Sequence, residues 1–478
     1  MKKKTGEKRT ALSKTAIAAL VVLFVLIIAV SFLTGGKTFN DFKNAYFGTI
    51  TEVKEPTIKV GIYECLSGEF KLYGKEEAAG IELAHDLCPT VLGKNIELIY
   101  ADNRSNIYDA KTALQELMSQ NPSFVFGSYS DTLTLVASDY VVAANTPAMT
   151  ITSINPLITS NNDFYFTTSF SMAKQGAALA EYAVNGLGRT TFATVRSIRD
   201  DSSRAFVRRF RNKVASIMES EDVFKANLSV DTEAGDFKNS IQQLKDGNIE
   251  AVLLAIPPAA AQVFMAQSKE MEYFPQFIGP GDWDTAEFEK FLTNNPELSV
   301  SYPSVQAADT TDMYDTFIEA YYTKYGENAP EPSGSMAAAF DAYMIMIKGI
   351  EDAYKNVMNT DMDELRENAG TDAKGKNLVQ TYENARETGI PAGIHIRDAI
   401  KDITEFEGAT GVLSYDGTTE VNKTVTIVHF FKGTKMSPYT VEDDKTITGD
   451  DIPLIGTEDE QTVTEGDAAE PAQEEVKN

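Results

Sequence analysis

The residue types that could carry out covalent chemistry are few in this sequence and are not arranged for it. The chain contains no G-x-x-x-x-G-K-[ST] phosphate loop, no H-E-x-x-H zinc motif and no G-x-S-x-G nucleophile turn. Its three histidines, His85, His395 and His429, stand in no recognisable arrangement with a Ser, Cys or carboxylate partner. The two cysteines, Cys65 and Cys88, form no C-x-x-C pair or Cys/His cluster, so we expect neither a metal site nor a cofactor. The motif search therefore argues against an enzyme.

The charge balance excludes one class of partner. The 478 residues include 43 Lys+Arg and 70 Asp+Glu, which give a formal net charge of -27. Residues 1–14 depart from this balance, because they hold six Lys or Arg and the single acid Glu7. Binding to nucleic-acid phosphates requires clustered Lys and Arg, so we expect no nucleic-acid partner for the acidic remainder of the chain.

An uncharged apolar segment follows the basic N-terminus. Between Lys14 and Lys37 lie 22 residues without a charge, and residues 16–33 are almost wholly Ala, Val, Leu, Ile and Phe. At about 1.5 Å per residue this segment is long enough to cross the hydrocarbon core of a bilayer. We interpret residues 1–36 as a cytoplasmic stub and transmembrane anchor, with a linker at residues 37–56 and the rest outside the cytoplasmic membrane. The alternative is a cleaved signal peptide, which would leave the protein secreted.

The C-terminus has a different composition. Residues 441–478 hold thirteen Asp or Glu, two Lys and little apolar periodicity. Such a segment cannot bury enough apolar surface to offset the entropy that it would lose on ordering. We therefore predict a disordered acidic tail after a folded core that ends at residue 440.

Within this core, short apolar strands alternate with amphipathic helices. The run IKVGIY at residues 58–63 is typical of a buried strand, and a helical pattern with Leu83 and Leu87 on one face follows it. Strands that are buried on both faces and separated by helices predict an α/β fold with parallel sheets. Since roughly 380 residues exceed one compact sheet domain, we expect two lobes. Near the end of the core, the β-rich residues 411–415 and 424–431 flank a turn and predict a β-hairpin.

The core contains a series of sequence segments in a fixed order, which we use as landmarks. They run from IKVGIYECLSGEFKLYGKEEAAGIELA through GKNIELIYAD, FVFGSYSDTLTLVAS and TPAMTITSINPLIT to FIGPGDW and GVLSYDGTTEVNKTVTIVHFFKG. In this order they resemble the leucine/isoleucine/valine-binding family of type I periplasmic binding proteins of ABC transporters. The resemblance implies two parallel α/β lobes that are joined by a three-segment hinge and close on a small ligand. Lobe one would comprise residues 57–169 with 304–409, and lobe two residues 170–303 with 410–440.

The same resemblance implies ligand-binding roles for residues of the first lobe. Tyr73 matches an aromatic pocket position in the family. Tyr129, Ser130 and Asp131 lie in the loop with which the family binds the ligand carboxylate. Asp131 stands at a position that is Ser in the family, unless the loop shifts by one residue and Ser130 takes that role. A carboxylate there would repel a carboxylate ligand.

The ammonium side of the family's site maps onto two further loops. Thr152 and Ser153 match the loop that receives the ligand ammonium, although Ile154 replaces an expected Thr. Asp282 and Trp283 lie near the position of the family's acidic ammonium ligand, with an offset of about one residue. Because of these departures from the family pattern, the resemblance does not establish that the ligand is an amino acid.

Three acids fall in segments that the resemblance places at the cleft. They are Asp131, Asp282 and Asp201. A ligand with an amine or another cationic group would complete such a site, so we expect an amino acid or a related amine-bearing compound. The alternative is that these acids cap helices or accept hydrogen bonds from backbone N–H groups at the rim.

The sequence as a whole predicts an extracytoplasmic substrate-binding protein that feeds an ABC importer. Its partners would be a small-molecule ligand, the ABC permease subunits and, through the N-terminal helix, the membrane. A non-transport ligand receptor or a cell-envelope regulator on the same fold is the alternative. Neighbouring permease and ATPase genes would separate the two.

We predict that protease added to intact spheroplasts releases a large soluble fragment of the protein. The reason is that the basic N-terminus and the apolar segment hold the chain after Lys37 outside and tethered. A mature N-terminus between Ser31 and Phe42 would contradict the anchor and indicate a cleaved signal peptide.

Overall fold

The computed structural model of the protein describes residues 57–160, 162–198, 202–305, 310–436 and 439–441. The predicted anchor, the linker and the acidic tail after Val441 lie outside these residues, and so does Asp201. Among the helices of the described ranges, none is both long enough and apolar enough to span a membrane.

The first part of the chain builds a six-stranded sheet. Its elements in chain order are β1 (Ile58–Glu64), α1 (Lys71–Leu87), β2 (Thr90–Val91), β3 (Lys94–Asp102), α2 (Ile107–Met118), β4 (Phe124–Phe126), α3 (Asp131–Ala144), β5 (Ala148–Thr150) and β6 (Tyr165–Thr167). The strand order is β2-β3-β1-β4-β5-β6, and each pair except β2 with β3 is parallel. Val60 and Ile62 pack in the core on one face of β1, and a side chain at Gly61 would collide with Leu117 on the other. β1 is therefore buried on both faces, as its apolar run predicts.

The second part of the chain builds another sheet. Its elements are α4 (Met172–Glu181), β7 (Phe192–Ser197), α5 (Ser202–Met218), β8 (Phe224–Val230), α6 (Lys238–Asp246), β9 (Ala251–Ala255), α7 (Pro258–Glu270), β10 (Gln276–Ile278), α8 (Ala286–Thr293) and β11 (Ser299–Ser304). The order β8-β7-β9-β10-β11 is parallel throughout. Along β9, Val252 and Leu254 pack in one core and Leu253 in the core on the opposite face. Helices therefore cover both sides of this sheet.

The chain then returns to each lobe in turn. The first lobe receives α9 (Asp312–Tyr325), α10 (Gly334–Asn359), α11 (Met362–Asn368), α12 (Ala373–Thr388), α13 (Gly393–Lys401), β12 (Phe406–Gly408) and β13 (Gly411–Leu413). The second sheet is completed by β14 (Val425–Phe431), β15 (Thr434–Lys435) and β16 (Tyr439–Val441). Gly80 of α1 lets the backbone of α10 approach at Met336, because an added Cβ would lie 2.3 Å from Met336 O. The predicted two-lobed α/β fold is confirmed.

The predicted β-hairpin of residues 411–415 and 424–431 is wrong. β13 pairs with β12, and β14 pairs antiparallel with β11 at the edge of the second sheet. In the described part of the chain the first run forms an isolated bridge, between Ser414 and Asn422, but Asn422 lies before the second run. Most of β14 becomes buried against the second sheet, and a two-stranded hairpin could not bury it to that extent.

The last crossing between the lobes also lies later in the chain than expected. Leu413, Tyr415 and Val421 pack in the core of the first lobe, whereas Val425 packs in the second. The chain therefore changes lobes between Val421 and Val425, and not after residue 409. The local β pattern is the same on both sides of this point, so it does not indicate which core receives each residue.

A buried lysine on this third crossing holds the three crossings together. Lys423 Nζ donates to Val305 O at 2.8 Å, on the second crossing, and to Thr410 Oγ1 at 2.7 Å. It also lies 6.0 Å from the ring centroid of Phe170, on the first crossing. Burial lowers the pKa of Lys423 to about 8, while the negative charge of Asp341 in α10 favours the ammonium form. We call these five residues the hinge cluster.

We predict that Lys423→Met lowers the free energy of unfolding by about 3 kcal/mol, because Asp341 then remains buried without its cation. Lys324→Met is the matched control, since Lys324 Nζ pairs with Asp86 Oδ2 at 2.8 Å on the protein surface. Loss of that exposed pair should cost less than about 1 kcal/mol. Urea unfolding of the full-length chain measures both values, and equal losses would contradict the role of the hinge cluster.

Candidate functional site

A cavity of about 590 Å³ lies between the two lobes. Its walls come from the start of α1, the loops after β4 and β5 and the start of α10 in the first lobe, and from the start of α4 and the turn after β10 in the second. Six of the predicted binding residues line it: Tyr73, Tyr129, Ser130, Asp131, Thr152 and Asp282. The cavity thus lies at the carboxyl ends of parallel strands, where open α/β sheets bind ligands.

Two tyrosines form an aromatic wall of the cavity. The rings of Tyr73 and Tyr129 are stacked, with centroids 4.6 Å apart and an interplanar angle of 7°. Phe70 extends this wall, since its ring centroid lies 5.9 Å from that of Tyr129. Tyr73 is in the first turn of α1 and stays 37% exposed, so its ring is accessible from the cavity. Such a wall suits an apolar group or a cation placed over the ring face.

Asp131 joins the loops after β4 and β5. Its Oδ1 accepts a hydrogen bond from Ile154 N at 3.1 Å. The loop after β4 is held from the other side by Thr134 Oγ1, which donates to Ser130 O at 2.9 Å. Asp131 therefore accepts from a backbone N–H group at the cavity wall, in agreement with the alternative interpretation of these acids. The wall formed by the two loops is cross-linked before any ligand enters.

The structure does not place every predicted residue at the cavity. Ser153 is 1% exposed, and its Oγ donates to Tyr129 O at 3.0 Å inside the loop. Trp283 is fully buried in the second lobe, where its Nε1 donates to Ile256 O at 3.0 Å. Ser153 follows Thr152 and Trp283 follows Asp282, and both preceding residues line the cavity. Because neighbouring side chains point in different directions, those of Ser153 and Trp283 point into the core. Neither side chain lines the cavity, contrary to the prediction, and Asp201 lies outside the described residues.

The described lining of the cavity is acidic. It includes Glu76, Asp131, Asp282, Asp284 and Glu331 and, among the residues that the structure describes, no Lys or Arg. Burial at the wall raises the pKa of Asp284 to about 6, although Ser304 Oγ donates to its Oδ2 at 2.6 Å. An acidic wall beside aromatic rings favours a cationic group on the ligand.

Two acids behind the cavity wall, Glu64 and Glu77, are absent from the predicted site. Both are fully buried. Glu77 Oε1 accepts a hydrogen bond from Thr152 Oγ1, and Glu64 Oε2 accepts one from Tyr129 N at 3.0 Å. Burial raises the pKa of both carboxyl groups. The signal in the sequence is that Glu64 ends an apolar strand and Glu77 shares the buried face of α1 with Ile81, four residues further on.

Two α/β lobes with three chain crossings and a cavity between them define a solute-binding class of protein. Residues 57–411 match the family model for periplasmic binding proteins. This match covers more than half of the chain, so the protein belongs to the periplasmic binding protein family. The resemblance inferred from the sequence landmarks is thereby confirmed.

Several known proteins are similar to this chain at low sequence identity. Leu/Ile/Val-binding protein homolog 7 of Brucella melitensis is 21% identical over 378 residues, which are 74% of this chain and 92% of that protein. The substrate-binding protein LivJ from Streptococcus pneumoniae, solved with isoleucine, has a TM-score of 0.64 at 20% identity and covers 81% of this chain and 100% of its own. A solute-binding protein from Rhodopseudomonas palustris, solved with p-hydroxybenzoic acid, has a TM-score of 0.63 at 17% identity, with coverages of 82% and 99%.

We predict that Trp283→Phe lowers the free energy of unfolding by about 1–3 kcal/mol, because it removes the hydrogen bond to Ile256 and leaves a void in the core. Phe274→Leu is the control, since Phe274 is an aromatic residue of the same lobe that is 47% exposed. That change should stay within about 0.5 kcal/mol of the wild type. Urea unfolding without ligand measures both variants. An unaltered stability of Trp283→Phe would contradict a structural role for Trp283.

Proposed function

We propose that this protein is the substrate-binding protein of an ABC importer and captures a small solute in the cavity between its lobes. The observation that carries the proposal is a cavity whose walls come from two lobes that are connected through the hinge cluster. The binding domain works outside the cytoplasmic membrane, tethered by residues 1–36. The ABC permease subunits are its partners.

Capture depends on the closure of the lobes. In the open state the cavity admits the ligand from water, and closure brings the wall of the second lobe, with Asp282 and Asp284, onto it. Water is excluded as the lobes close, which strengthens the electrostatic contacts inside the cavity. A ligand that contacts both walls stabilises the closed state by its difference in affinity for the two states. The permease then receives the closed form.

We propose an amine-bearing ligand, such as an amino acid or a related amine. Proteins of this fold bind amino acids as well as aromatic acids, since LivJ was solved with isoleucine and the Rhodopseudomonas palustris protein with p-hydroxybenzoic acid. The five acids of the described lining favour a ligand with a cationic group over an aromatic acid. The stacked rings of Tyr73 and Tyr129 provide a face for the ammonium or for the apolar part of such a ligand.

A thermal-shift screen of the full-length chain tests this function. The panel contains L-leucine, L-isoleucine, L-lysine, putrescine and 4-hydroxybenzoate. A ligand at about 100 times its Kd stabilises the folded state by about 2.7 kcal/mol, which raises the melting temperature measurably. We expect at least one amine to stabilise the protein and 4-hydroxybenzoate to have no effect. Tight binding of 4-hydroxybenzoate with inert amines would overturn the amine assignment, and a panel without any binder would count against the binding function itself.

We predict that Asp282→Ala weakens binding of the best amine of this panel by about 2–5 kcal/mol, the range for truncating one side of a buried charge pair. Tyr73→Ala should weaken it less, because it removes a ring face and no charge. Glu221→Ala is the matched control, since Glu221 is an exposed acid of the second lobe outside the cavity. Isothermal titration calorimetry gives the three affinities. Equal affinities of Asp282→Ala and Glu221→Ala would exclude Asp282 from ligand binding.

A further inference from the structure

We propose that Glu64 and Glu77 share one proton as a carboxyl–carboxylate pair and thereby fix the hydroxyl group of Thr152 as a hydrogen-bond acceptor for the ligand. This inference rests on the proposed function, because Thr152 acts on a ligand in the cavity that it lines. Glu77 is a positioning residue in this scheme, since it reaches the ligand through Thr152.

The two carboxyl groups meet behind the loops that form the first wall of the cavity. Glu64 ends β1, and its Oε2 accepts from Cys65 N at 3.2 Å and from Tyr129 N at 3.0 Å. Glu77 lies in α1, and its Oε1 accepts from Thr152 Oγ1. Both side chains are 0% exposed. Four segments of the first lobe therefore converge on this pair: the end of β1, α1 and the loops after β4 and β5.

The remaining two oxygens of the pair show where the proton lies. Glu64 Oε1 and Glu77 Oε2 are buried, and each lacks a hydrogen-bond donor among the described residues. The two side chains lie within hydrogen-bonding range of each other. Two ionised carboxylates in such contact would repel each other, and each lone oxygen would remain unsatisfied. One proton between Glu64 Oε1 and Glu77 Oε2 satisfies both atoms.

The other contacts assign that proton to Glu77. Glu64 already accepts two backbone N–H groups on Oε2, which is the pattern of an ionised carboxylate. Glu77 then donates from Oε2 to Glu64 and can only accept at Oε1. The hydrogen of the Thr152 hydroxyl group is consequently committed to Glu77 Oε1, and the oxygen lone pairs of Thr152 remain for the cavity. A ligand N–H group matches this acceptor, whereas an oxygen without hydrogen does not.

The surroundings keep the pair protonated. The other titratable groups that face it come from β1 and the residue after it, α1, the loop after β4, and β6. They are Tyr63, Cys65, Glu76, Tyr129 and Tyr165. None of these supplies a positive charge, and burial raises the pKa of the four phenol and thiol groups so that they stay neutral. Burial also raises the pKa of Glu64 and Glu77. The folded state therefore keeps a proton up to a higher pH than the unfolded chain does. The free energy of unfolding falls as the pH rises from the pKa of the unfolded carboxyl group to that of the folded pair.

Infrared spectroscopy of the ligand-free, full-length chain tests the shared proton directly. A protonated carboxyl group has a C=O stretching band that an ionised one lacks. We expect such a band at neutral pH in the wild type and its loss in Glu77→Gln, whose amide can still donate to Glu64 and accept from Thr152. Glu116→Gln is the control, because Glu116 is an exposed acid of α2 in the same lobe. An identical band in wild type and Glu77→Gln would overturn the proposal.

The pH dependence of stability provides a second readout that a merely structural residue would not alter. Between about pH 5 and about pH 9 the wild type should lose stability relative to Glu77→Gln, because only the wild type has this proton to lose. Glu116→Gln should follow the wild type. Parallel profiles of wild type and Glu77→Gln would overturn the proposal even if both variants fold well.

The preference for a ligand donor tests the role of Thr152. The probes are L-leucine and isocaproate, which is leucine without its amino group. We expect the wild type and Glu77→Gln to bind leucine more tightly than isocaproate. In Thr152→Val and Glu77→Met the ratio of the two affinities should fall about tenfold. An undiminished preference in Thr152→Val would overturn the acceptor role. A wild type that binds neither probe and no other panel member would overturn the function together with the role of Thr152, while the infrared and pH results would still decide the proton pair.

Discussion

Two lobes can share one cleft only if the three chain segments between them stay side by side, and the buried ammonium group of Lys423 holds them there. Its partners are a carbonyl of the second crossing, Val305 O, and Thr410 Oγ1 of the first lobe, with Phe170 of the first crossing alongside. A buried charge is tolerated only where such partners surround it. Separation of the crossings would leave the ammonium unpaired, so the hinge is confined to this place and the geometry of the cleft depends on it.

The two walls of the cleft are built differently. In the first lobe, Asp131 binds Ile154 N and Glu77 binds the hydroxyl group of Thr152, so the loops after β4 and β5 are joined to each other and to α1. The second lobe offers the turn after β10, with Asp282 at the cavity. A preorganised wall loses little entropy when a ligand binds, and the opposite wall can close onto it.

Buried acids in this protein occur in two settings with different energetic consequences. Asp341 receives hydrogen bonds from Thr410 N and Oγ1 and faces the charge of Lys423, so its burial is compensated by the fold itself. Glu64 and Glu77 accept hydrogen bonds on one oxygen each, but the other oxygen of each has no donor among the described residues. A local arrangement that opposes stability is typical of functional sites, and this one lies directly behind the cavity wall.

The sequence by itself determined the alternation of strands and helices and the two-lobed α/β class, because hydrophobic periodicity is a local property. The loops that carry Tyr129, Thr152 and Asp282 are assigned to the site by the resemblance to the family. The local pattern also indicates that Glu64 and Glu77 are buried, but it does not indicate that their side chains are in contact. Only the tertiary structure decided that β14 pairs with β11, that Ser153 and Trp283 turn into the core, and that Glu77 reaches Thr152 across 75 positions of sequence. Each of these depends on contacts between distant segments, and a one-residue change of direction in a loop has no signature in the local pattern.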